Sequence, residues 1–392
     1  MQFGDARKTT SIAKAAMMLL ILSLAALAVL TGCSSTGGSS TPKTTSAIVV
    51  ADASNNRVLA YTAPFSTDES ATVVLGQEGF TTSGAVLSAS GVNAPVATAE
   101  DSSGNIYVAD NGNNRVLQFK APITSGESAT VVIGQPNFTT GTANLTQNGL
   151  SGPGGMAFDS SGNLWVIDFG NSRVLEYPPP FATGMNASLV IGQPNFTTGA
   201  ATVSSSGLSS PEYLTVDGSG NLWVSDLFNN RVLEFKPPFS TGMAASVVIG
   251  QADFVSNGAA TTASGLSFPT GVAFDSTGNL WVADNGNNRV LQFAPPFSNG
   301  MSATLVLGQA NFTSSTAATT QDGISAPFGL AFDTGGDLWV ADTGNNRTLA
   351  FAPPFSTNQN ATVVLGQANF TSSTAATTAT GQNSATGVAA AF

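Results

Sequence analysis

The sequence predicts an all-β protein: a six-bladed β-propeller with four antiparallel strands in each blade. The first observation behind this prediction is that the stretch at residues 281–291 recurs six times along the chain, at a strict spacing of 58 residues. The second is that each copy contains four short apolar runs separated by turn residues. A fixed period of this kind indicates one structural unit copied several times. Four short antiparallel strands per unit are typical of a propeller blade.

The copy that begins at Pro269 shows the elements in order. Its four predicted strands, here named A to D, cover residues 271–275, 280–283, 290–293 and 303–307. Polar turns rich in Gly, Asn and Asp separate A from B and B from C. Two prolines end strand C, because proline cannot donate to a strand ladder, and a long polar loop leads from D to the next A. A helical solenoid is disfavoured, since no segment shows a period of 3.6.

The two ends of the repeat array predict how the ring closes. After the leader, the chain enters the repeat at strand B, with residues 48–52, and it finishes with residues 387–389, which align with strand A. We therefore expect the closing blade to combine N-terminal strands B, C and D with a C-terminal strand A. This closure would remove two open sheet edges.

Three motifs in the repeat resemble a known family. Pro-x-Gly-x-Ala-Phe-Asp, Gly-Asn-Leu-Trp-Val-Ala-Asp and Asn-Asn-Arg-Val-Leu-x-Phe are similar to NHL repeats, in phase over residues 47–392. The resemblance implies a six-bladed propeller. Members of this family include binding scaffolds, and also lyases and lactonases that use histidine, zinc or calcium.

The N-terminus predicts export and lipid attachment. Basic residues precede an apolar run at residues 15–30, which is typical of a secretory signal and shorter than the ~20 residues of a membrane span. The segment Leu30-Thr31-Gly32-Cys33 resembles a bacterial lipobox, which implies cleavage before Cys33 and its acylation. We expect a signal peptide at 1–32, a flexible tether at 33–46 and a propeller at 47–392, lipid-anchored in a bacterial cell envelope, either periplasmic or surface-exposed. An ordinary signal peptide with a chance cysteine is the alternative.

Composition narrows the classes of function. The formal net charge is −11, and an acidic surface repels nucleic-acid phosphates. The chain contains no histidine, which removes the commonest metal ligand and the commonest general base. We expect no nucleic-acid partner.

Each repeat carries one Asp/Arg pair on either side of the B–C turn. The pairs are Asp52/Arg57, Asp110/Arg115, Asp168/Arg173, Asp226/Arg231, Asp284/Arg289 and Asp342/Arg347. We interpret them as structural ion pairs that close the turn, each worth ~0–1 kcal/mol if exposed. The alternative, a ring of cationic groups for an anionic ligand, is weaker because every arginine has a local partner.

A second acidic series ends strand A in five repeats. Its members are Asp101, Asp159, Asp217, Asp275 and Asp333. We expect these carboxylates to accept backbone N–H groups of the A–B turn. Calcium binding is the alternative, and it needs several carboxylates to converge on one ion. No cofactor is predicted otherwise.

One repeat departs from the others where strand A begins. Glu212 and Tyr213 stand where other repeats have small or apolar residues. Propeller ligands commonly bind at the channel mouth, so we take Glu212, Tyr213, Thr270 and Phe328 as candidate ligand-binding residues. A carboxylate there would bind a cation or a sugar hydroxyl, with the phenol beside it. Drift at a tolerant surface position is the alternative.

Together, these patterns favour a monomeric binding or protein-interaction scaffold that contacts the membrane only through its lipid. Its ligand would be a protein or a carbohydrate. A lactonase- or lyase-type enzyme with a calcium site of Asp, Asn and Glu is the second hypothesis, and a mainly structural surface protein is the third. Six near-identical blades weigh against catalysis, since catalysis requires one blade to differ.

Overall fold

The computed structural model describes residues 47–391, which form strands joined by turns, loops and single-turn 3₁₀ helices. The predicted signal peptide, the tether with Cys33, and Phe392 lie outside the described residues. Within the described part of the chain, no helix has the length and apolar character needed to cross a membrane.

The strands form six four-stranded sheets, named here as blades 1 to 6 in ring order. Blade 1 contains β24 (Ala385–Ala391), β1 (Ala47–Asp52), β2 (Arg57–Thr62) and β3 (Val73–Leu75). Blade 2 contains β4 (Pro95–Glu100), β5 (Ile106–Asp110), β6 (Arg115–Phe119) and β7 (Val131–Ile133). Blade 3 contains β8 (Pro153–Phe158), β9 (Leu164–Asp168), β10 (Arg173–Tyr177) and β11 (Leu189–Ile191).

The remaining three blades repeat this order from the inner to the outer strand. Blade 4 contains β12 (Pro211–Val216), β13 (Leu222–Asp226), β14 (Arg231–Phe235) and β15 (Val247–Ile249). Blade 5 contains β16 (Pro269–Phe274), β17 (Leu280–Asp284), β18 (Arg289–Phe293) and β19 (Leu305–Leu307). Blade 6 contains β20 (Pro327–Phe332), β21 (Leu338–Asp342), β22 (Arg347–Phe351) and β23 (Val363–Leu365). The predicted six-bladed propeller is confirmed.

Blade 1 closes the ring as the sequence predicts. Strand β24 pairs antiparallel with β1, with Val50 opposite Val388 and Ala47 opposite Ala391. Strand β2 then pairs with the other edge of β1. The two ends of the described chain are therefore joined by strand pairing rather than left as open edges.

A 3₁₀ turn and one left-handed residue connect the second and third strands of each blade. The turns are Ala53–Asn55, Asn111–Asn113, Phe169–Asn171, Leu227–Asn229, Asn285–Asn287 and Thr343–Asn345. In blade 5 the residue after the turn, Asn288, has φ 53°. Asparagine tolerates this region better than most residues. The turn reverses the chain within a few residues and so places each aspartate beside its arginine.

The core lies between blades. All five residues of β17 are buried, because its sheet is covered on both faces by neighbouring sheets. Trp281 of blade 5, for example, packs in one apolar cluster with Leu330 and Leu338 of blade 6. Continuous apolar strands, rather than alternating ones, follow from this two-sided burial.

Candidate functional site

Each Asp/Arg pair forms the centre of a polar network at the B–C end of its blade. In blade 5, Arg289 Nε lies 2.7 Å from Asp284 Oδ2. The guanidinium also donates to the carbonyl of Phe312 in the loop that follows the blade. It donates further to the carbonyls of Thr262 and Gly265, in the loop that precedes the blade, at 2.8 and 3.0 Å. One arginine thus connects two successive long loops to one turn.

The pairs are fully buried, so the small energy of an exposed ion pair does not apply to them. Both side chains have 0% exposure in all six blades. The long loops that fold back over each arginine account for this burial, and their carbonyls satisfy its N–H groups. Burial raises the pKa of Asp284, against the opposing effect of Arg289 and of hydrogen bonds from Asn287 and Ser267. Because the N–H donors of the six arginines are bonded inside the fold, these arginines do not present cationic groups to a ligand.

The second acidic series holds the A–B turns. Asp275 Oδ1 accepts the N–H groups of Thr277 and Asn279, and its Oδ2 accepts the indole N–H of Trp281 at 2.9 Å. Within residues 47–391, no group of three or more His, Cys, Asp or Glu side chains is placed to hold a metal ion. The calcium alternative therefore gains no support from the described side chains.

Tyr213 lies across the central channel. Its hydroxyl donates to the carbonyl of Val96 in blade 2, at 3.2 Å. Its ring meets Phe328 of blade 6 edge-to-face, with the ring centroids 6.0 Å apart. A single side chain from blade 4 thus reaches two blades on the other side of the axis and blocks the channel at this level.

Small residues opposite Tyr213 make room for it. At the same position of the repeat the other blades carry Ala97, Gly155, Gly271, Gly329 and Gly387. A Cβ on Gly329 would lie 2.9 Å from the Tyr213 hydroxyl and 2.6 Å from the carbonyl oxygen of Thr386. The inner strand of blade 4, like that of every other blade, has a register shift near its start, here between Pro211 and Leu214.

Glu212 lies beside Tyr213 and is 7% exposed. Within the described residues its carboxyl group has no hydrogen bond or ion pair, whereas the equivalent Thr270 donates to the carbonyl of Pro327 in the next blade at 3.0 Å. Burial raises the pKa of Glu212 to about 8. At neutral pH this shift favours the neutral acid, whereas the binding of a cation needs the carboxylate.

The four candidate channel residues do come together around the axis, since Thr270 also donates to the carbonyl of Phe328 at 3.1 Å. However, a channel cavity of about 420 Å³ lies on the other side of Tyr213. Its wall consists of residues 98–100, 156–158, 213–215, 272–274, 330–332 and 388–390. These are the later parts of the inner strands, so the cavity is at the A–B end. Tyr213 lines it, but Glu212, Thr270 and Phe328 do not.

An exposed aromatic patch at the B–C end was not foreseen. Phe169, Phe228 and Phe268 come from blades 3, 4 and 5, and their ring centroids follow one another at 6.3 and 6.1 Å. Phe228 is 50% exposed and Phe268 is 43% exposed. We call these three residues the aromatic patch. The sequence contains a sign of this patch: each phenylalanine departs from the residue at the same repeat position in blade 2, which has Asn111, Gly112 and Ala94 there.

The model of the NHL repeat matches residues 93–119, 150–177 and 266–293, in blades 2, 3 and 5. No curated protein matches this chain in sequence. Among solved structures, a protein of unknown function from Bacteroides caccae is similar at 10% identity and a TM-score of 0.52. The alignment covers 88% of this chain and 97% of that one.

Two enzymes resemble the chain more loosely. A catalytically inactive virginiamycin B lyase from Staphylococcus aureus, solved with quinupristin, has 14% identity and a TM-score of 0.43, over 76% of this chain and 75% of its own. A gluconolactonase from Xanthomonas campestris has 15% identity and a TM-score of 0.45, over 80% and 86%. At these values neither likeness bears on activity. The repeat match and the sheet topology together establish that this chain is a six-bladed β-propeller that contains NHL repeats.

Proposed function

We propose that the protein is a binding scaffold that holds a partner protein against the aromatic patch. The observation that carries the proposal is the clustering of departures from the repeat. Phe169, Phe228 and Phe268 stand in three different blades, yet their rings form one group, in which Phe228 and Phe268 are exposed and Phe169 is half-buried. The B–C turn does not depend on them, because other blades form the same turn with asparagine, glycine and alanine. Exposed aromatic clusters of this kind mark interaction sites.

Ring geometry favours a protein over a carbohydrate as the partner. The planes of Phe169 and Phe228 are inclined by 62°, and those of Phe228 and Phe268 by 88°. Rings set edge-to-face do not share one flat platform for a sugar ring. They leave clefts between them that suit apolar side chains, and aromatic residues in such positions often dominate protein interfaces.

The test replaces the patch with residues from other blades. Phe169→Asn, Phe228→Gly and Phe268→Ala should keep the fold, because each replacement already occupies the equivalent position elsewhere. Cross-linking in cells that express the full-length protein should identify a partner bound by the wild type. We expect the purified triple variant to bind that partner at least about tenfold more weakly, which corresponds to ~1.4 kcal/mol.

Val255→Thr is the matched control. Val255 is 69% exposed but is not part of the aromatic patch, and threonine occupies the equivalent loop position in blade 3 as Thr197. The control should bind as the wild type does. Equal binding by the wild type and the triple variant would refute the scaffold proposal at this face.

Lipid attachment at Cys33 is the second part of the proposal, and it is supported by the lipobox-like segment. Cys33→Ser should move the protein from the membrane fraction to the soluble fraction. Metabolic labelling with a fatty acid should label the wild type and not the variant. A variant that remains membrane-bound after a high-salt wash would contradict the anchor.

A further inference from the structure

An aromatic wedge fills five of the six interfaces between neighbouring blades. In each, a tyrosine or tryptophan on the second strand of one blade meets a phenylalanine of the next blade edge-to-face. Trp281 of blade 5, for instance, lies 4.7 Å from Phe355 and 5.8 Å from Phe332 of blade 6, measured between ring centroids. The tyrosine or tryptophan members are Tyr107, Trp165, Trp223, Trp281 and Trp339. Such pairs bury large apolar areas.

In the part of the chain that the structure describes, the interface between blades 1 and 2 has no aromatic residue at the three positions that Trp281, Phe332 and Phe355 occupy in the interface between blades 5 and 6. Val49 stands at the tryptophan position, since it lies opposite Ala60 as Trp281 lies opposite Gln292. Ile123 replaces the phenylalanine that follows the prolines, and Glu100 replaces the phenylalanine of the inner strand. A cavity of about 350 Å³ is present there and is lined by these three residues, among others.

The chemistry of this interblade cavity is apolar with an acidic edge. Val58, Leu75 and Ile106 form part of its wall, and Glu100 is its one charged lining residue within residues 47–391. The Glu100 carboxyl group lies over the A–B turn, with Oε1 3.5 Å from the Cβ position of Gly104. Hydroxyl groups of Thr62, Thr72 and Ser103 also line it, and all three residues are exposed. The cavity is therefore open to solvent on its polar side.

We propose that the interblade cavity binds a small ligand made of an aromatic ring and a protonated amine. The ring would take the space that an aromatic wedge fills at every other interface, and the amine would face Glu100. The volume lies within the ~300–1,000 Å³ range of small-molecule sites. An acidic protein also attracts cations. An empty apolar cavity destabilises a fold in proportion to its volume. At the other five interfaces, the aromatic side chains of the repeat fill the equivalent space.

The binding test uses three probes of one shape and different charge: tryptamine, indole and indole-3-acetate. Isothermal titration calorimetry with the full-length protein should show saturable binding of one tryptamine per chain. We expect indole to bind at least about tenfold more weakly, and indole-3-acetate more weakly still, because the acetate group is repelled by Glu100. Absence of saturable tryptamine binding at millimolar concentration, or equal binding of all three probes, would overturn the proposal.

Two variants locate the site. Val49→Trp combined with Ile123→Phe restores the aromatic wedge and should abolish tryptamine binding, with a melting temperature at or above that of the wild type. Glu100→Gln keeps the cavity and should weaken tryptamine binding about tenfold, while indole binding stays unchanged. This second variant decides the outcome if the first does not fold. Unaltered tryptamine binding in Glu100→Gln would refute the role of the carboxyl group, and unaltered binding in a folded Val49→Trp/Ile123→Phe protein would refute the site.

One competing occupant is the chain itself, because Ala391 lines the cavity and Phe392 follows it in sequence. Tryptamine binding that appears only after Phe392→Ala would show that Phe392 fills the space, and would overturn the ligand proposal. Val255→Thr, at an exposed position that does not line the cavity, serves as the control and should bind tryptamine as the wild type does.

Discussion

The ring of Asp/Arg pairs and the central axis differ in how they use the repeat. Around the ring, all six blades build the same network, with Nε–Oδ2 distances of 2.6 to 2.8 Å and no exposure. On the axis, a single tyrosine from blade 4 replaces a residue that is glycine or alanine in the other blades. The repeated Asp/Arg networks hold the propeller together, whereas Tyr213, which has no counterpart in the other blades, gives one sector of the channel a shape of its own.

This contrast locates function within a symmetric fold. Tyr213 and Glu212 belong to blade 4, and the aromatic patch spans blades 3 to 5. Both departures therefore lie in the same sector and toward the B–C end. A ligand that distinguishes one blade from another needs such a sector.

The largest effect is expected from deletion of residues 386–392. This change removes most of β24 and leaves the inner edge of β1 without its partner, so that the ring opens. We expect loss of the cooperative thermal transition, or a fall in its midpoint of more than ten degrees, by circular dichroism. An unchanged melting curve would show that the closure does not hold the ring together.

Breaking one repeated pair should lower the free energy of unfolding less than opening the ring does, but more than most point substitutions do. Arg289→Met leaves Asp284 buried without its cation and three loop carbonyls without their donors. We expect a loss of ~3–5 kcal/mol in urea unfolding. Lys236→Ala is the control: Lys236 is 56% exposed and lies 3.3 Å from Glu234, so the expected change is ~0–1 kcal/mol. Similar losses in both variants would contradict a special role for the buried pairs.

Glu212 should make stability depend on pH. Burial raises its folded-state pKa to about 8, well above the usual 4.5 of a glutamate, so the folded protein binds the proton more tightly than the unfolded chain. The stabilisation is complete below the unfolded pKa and is lost as pH rises through about 8. Between about pH 5 and about pH 9 the wild type should lose roughly 2–4 kcal/mol more than Glu212→Gln.

Urea unfolding at the two pH values measures this difference. Glu78→Gln, a change at an exposed carboxyl group, is the control and should follow the wild type. Parallel pH profiles for the wild type and Glu212→Gln would mean that the Glu212 carboxyl group is solvated rather than buried.

The smallest effect concerns the hydroxyl of Tyr213. Tyr213→Phe keeps the ring against Phe328 and removes the hydrogen bond to the Val96 carbonyl. We expect a loss of about 0.5–1.5 kcal/mol in unfolding free energy. Thermal denaturation at fixed pH is sufficient to measure it. A loss as large as that of Arg289→Met would mean that the axis, and not only the ring of pairs, carries the fold.

The sequence predicted the repeated features well, because a fixed period aligns six copies with one another. The strands, the turns, the closure of blade 1 and the contact of Asp284 with Arg289 all follow from that alignment. The burial of Arg289 did not follow, since nothing local shows that two long loops fold back to cover it.

The individual features were harder to predict, for physical reasons that differ. Glu212 and Tyr213 were visible as departures, but the contact of Tyr213 with Val96 joins blade 4 to blade 2, and it exists only once the ring has formed. The aromatic patch was missed because its three residues occupy different positions in three repeats and become neighbours only in the ring. At Val49 the sequence shows only that an aromatic residue is replaced by a smaller one. That this replacement leaves a cavity depends on how blades 1 and 2 pack together.

The closure of blade 1 also sets an order on how the chain can fold. Ala51 and Thr386, which meet across that closure, are 335 residues apart in sequence. During synthesis, β1, β2 and β3 are made long before β24, so the inner edge of β1 has no native partner until β24 has been made. Contacts of such long range are slow to form. The nascent protein therefore carries an unpaired strand edge while the strands of blades 2 to 6 are made, and a strand edge of that kind is prone to pair with other chains.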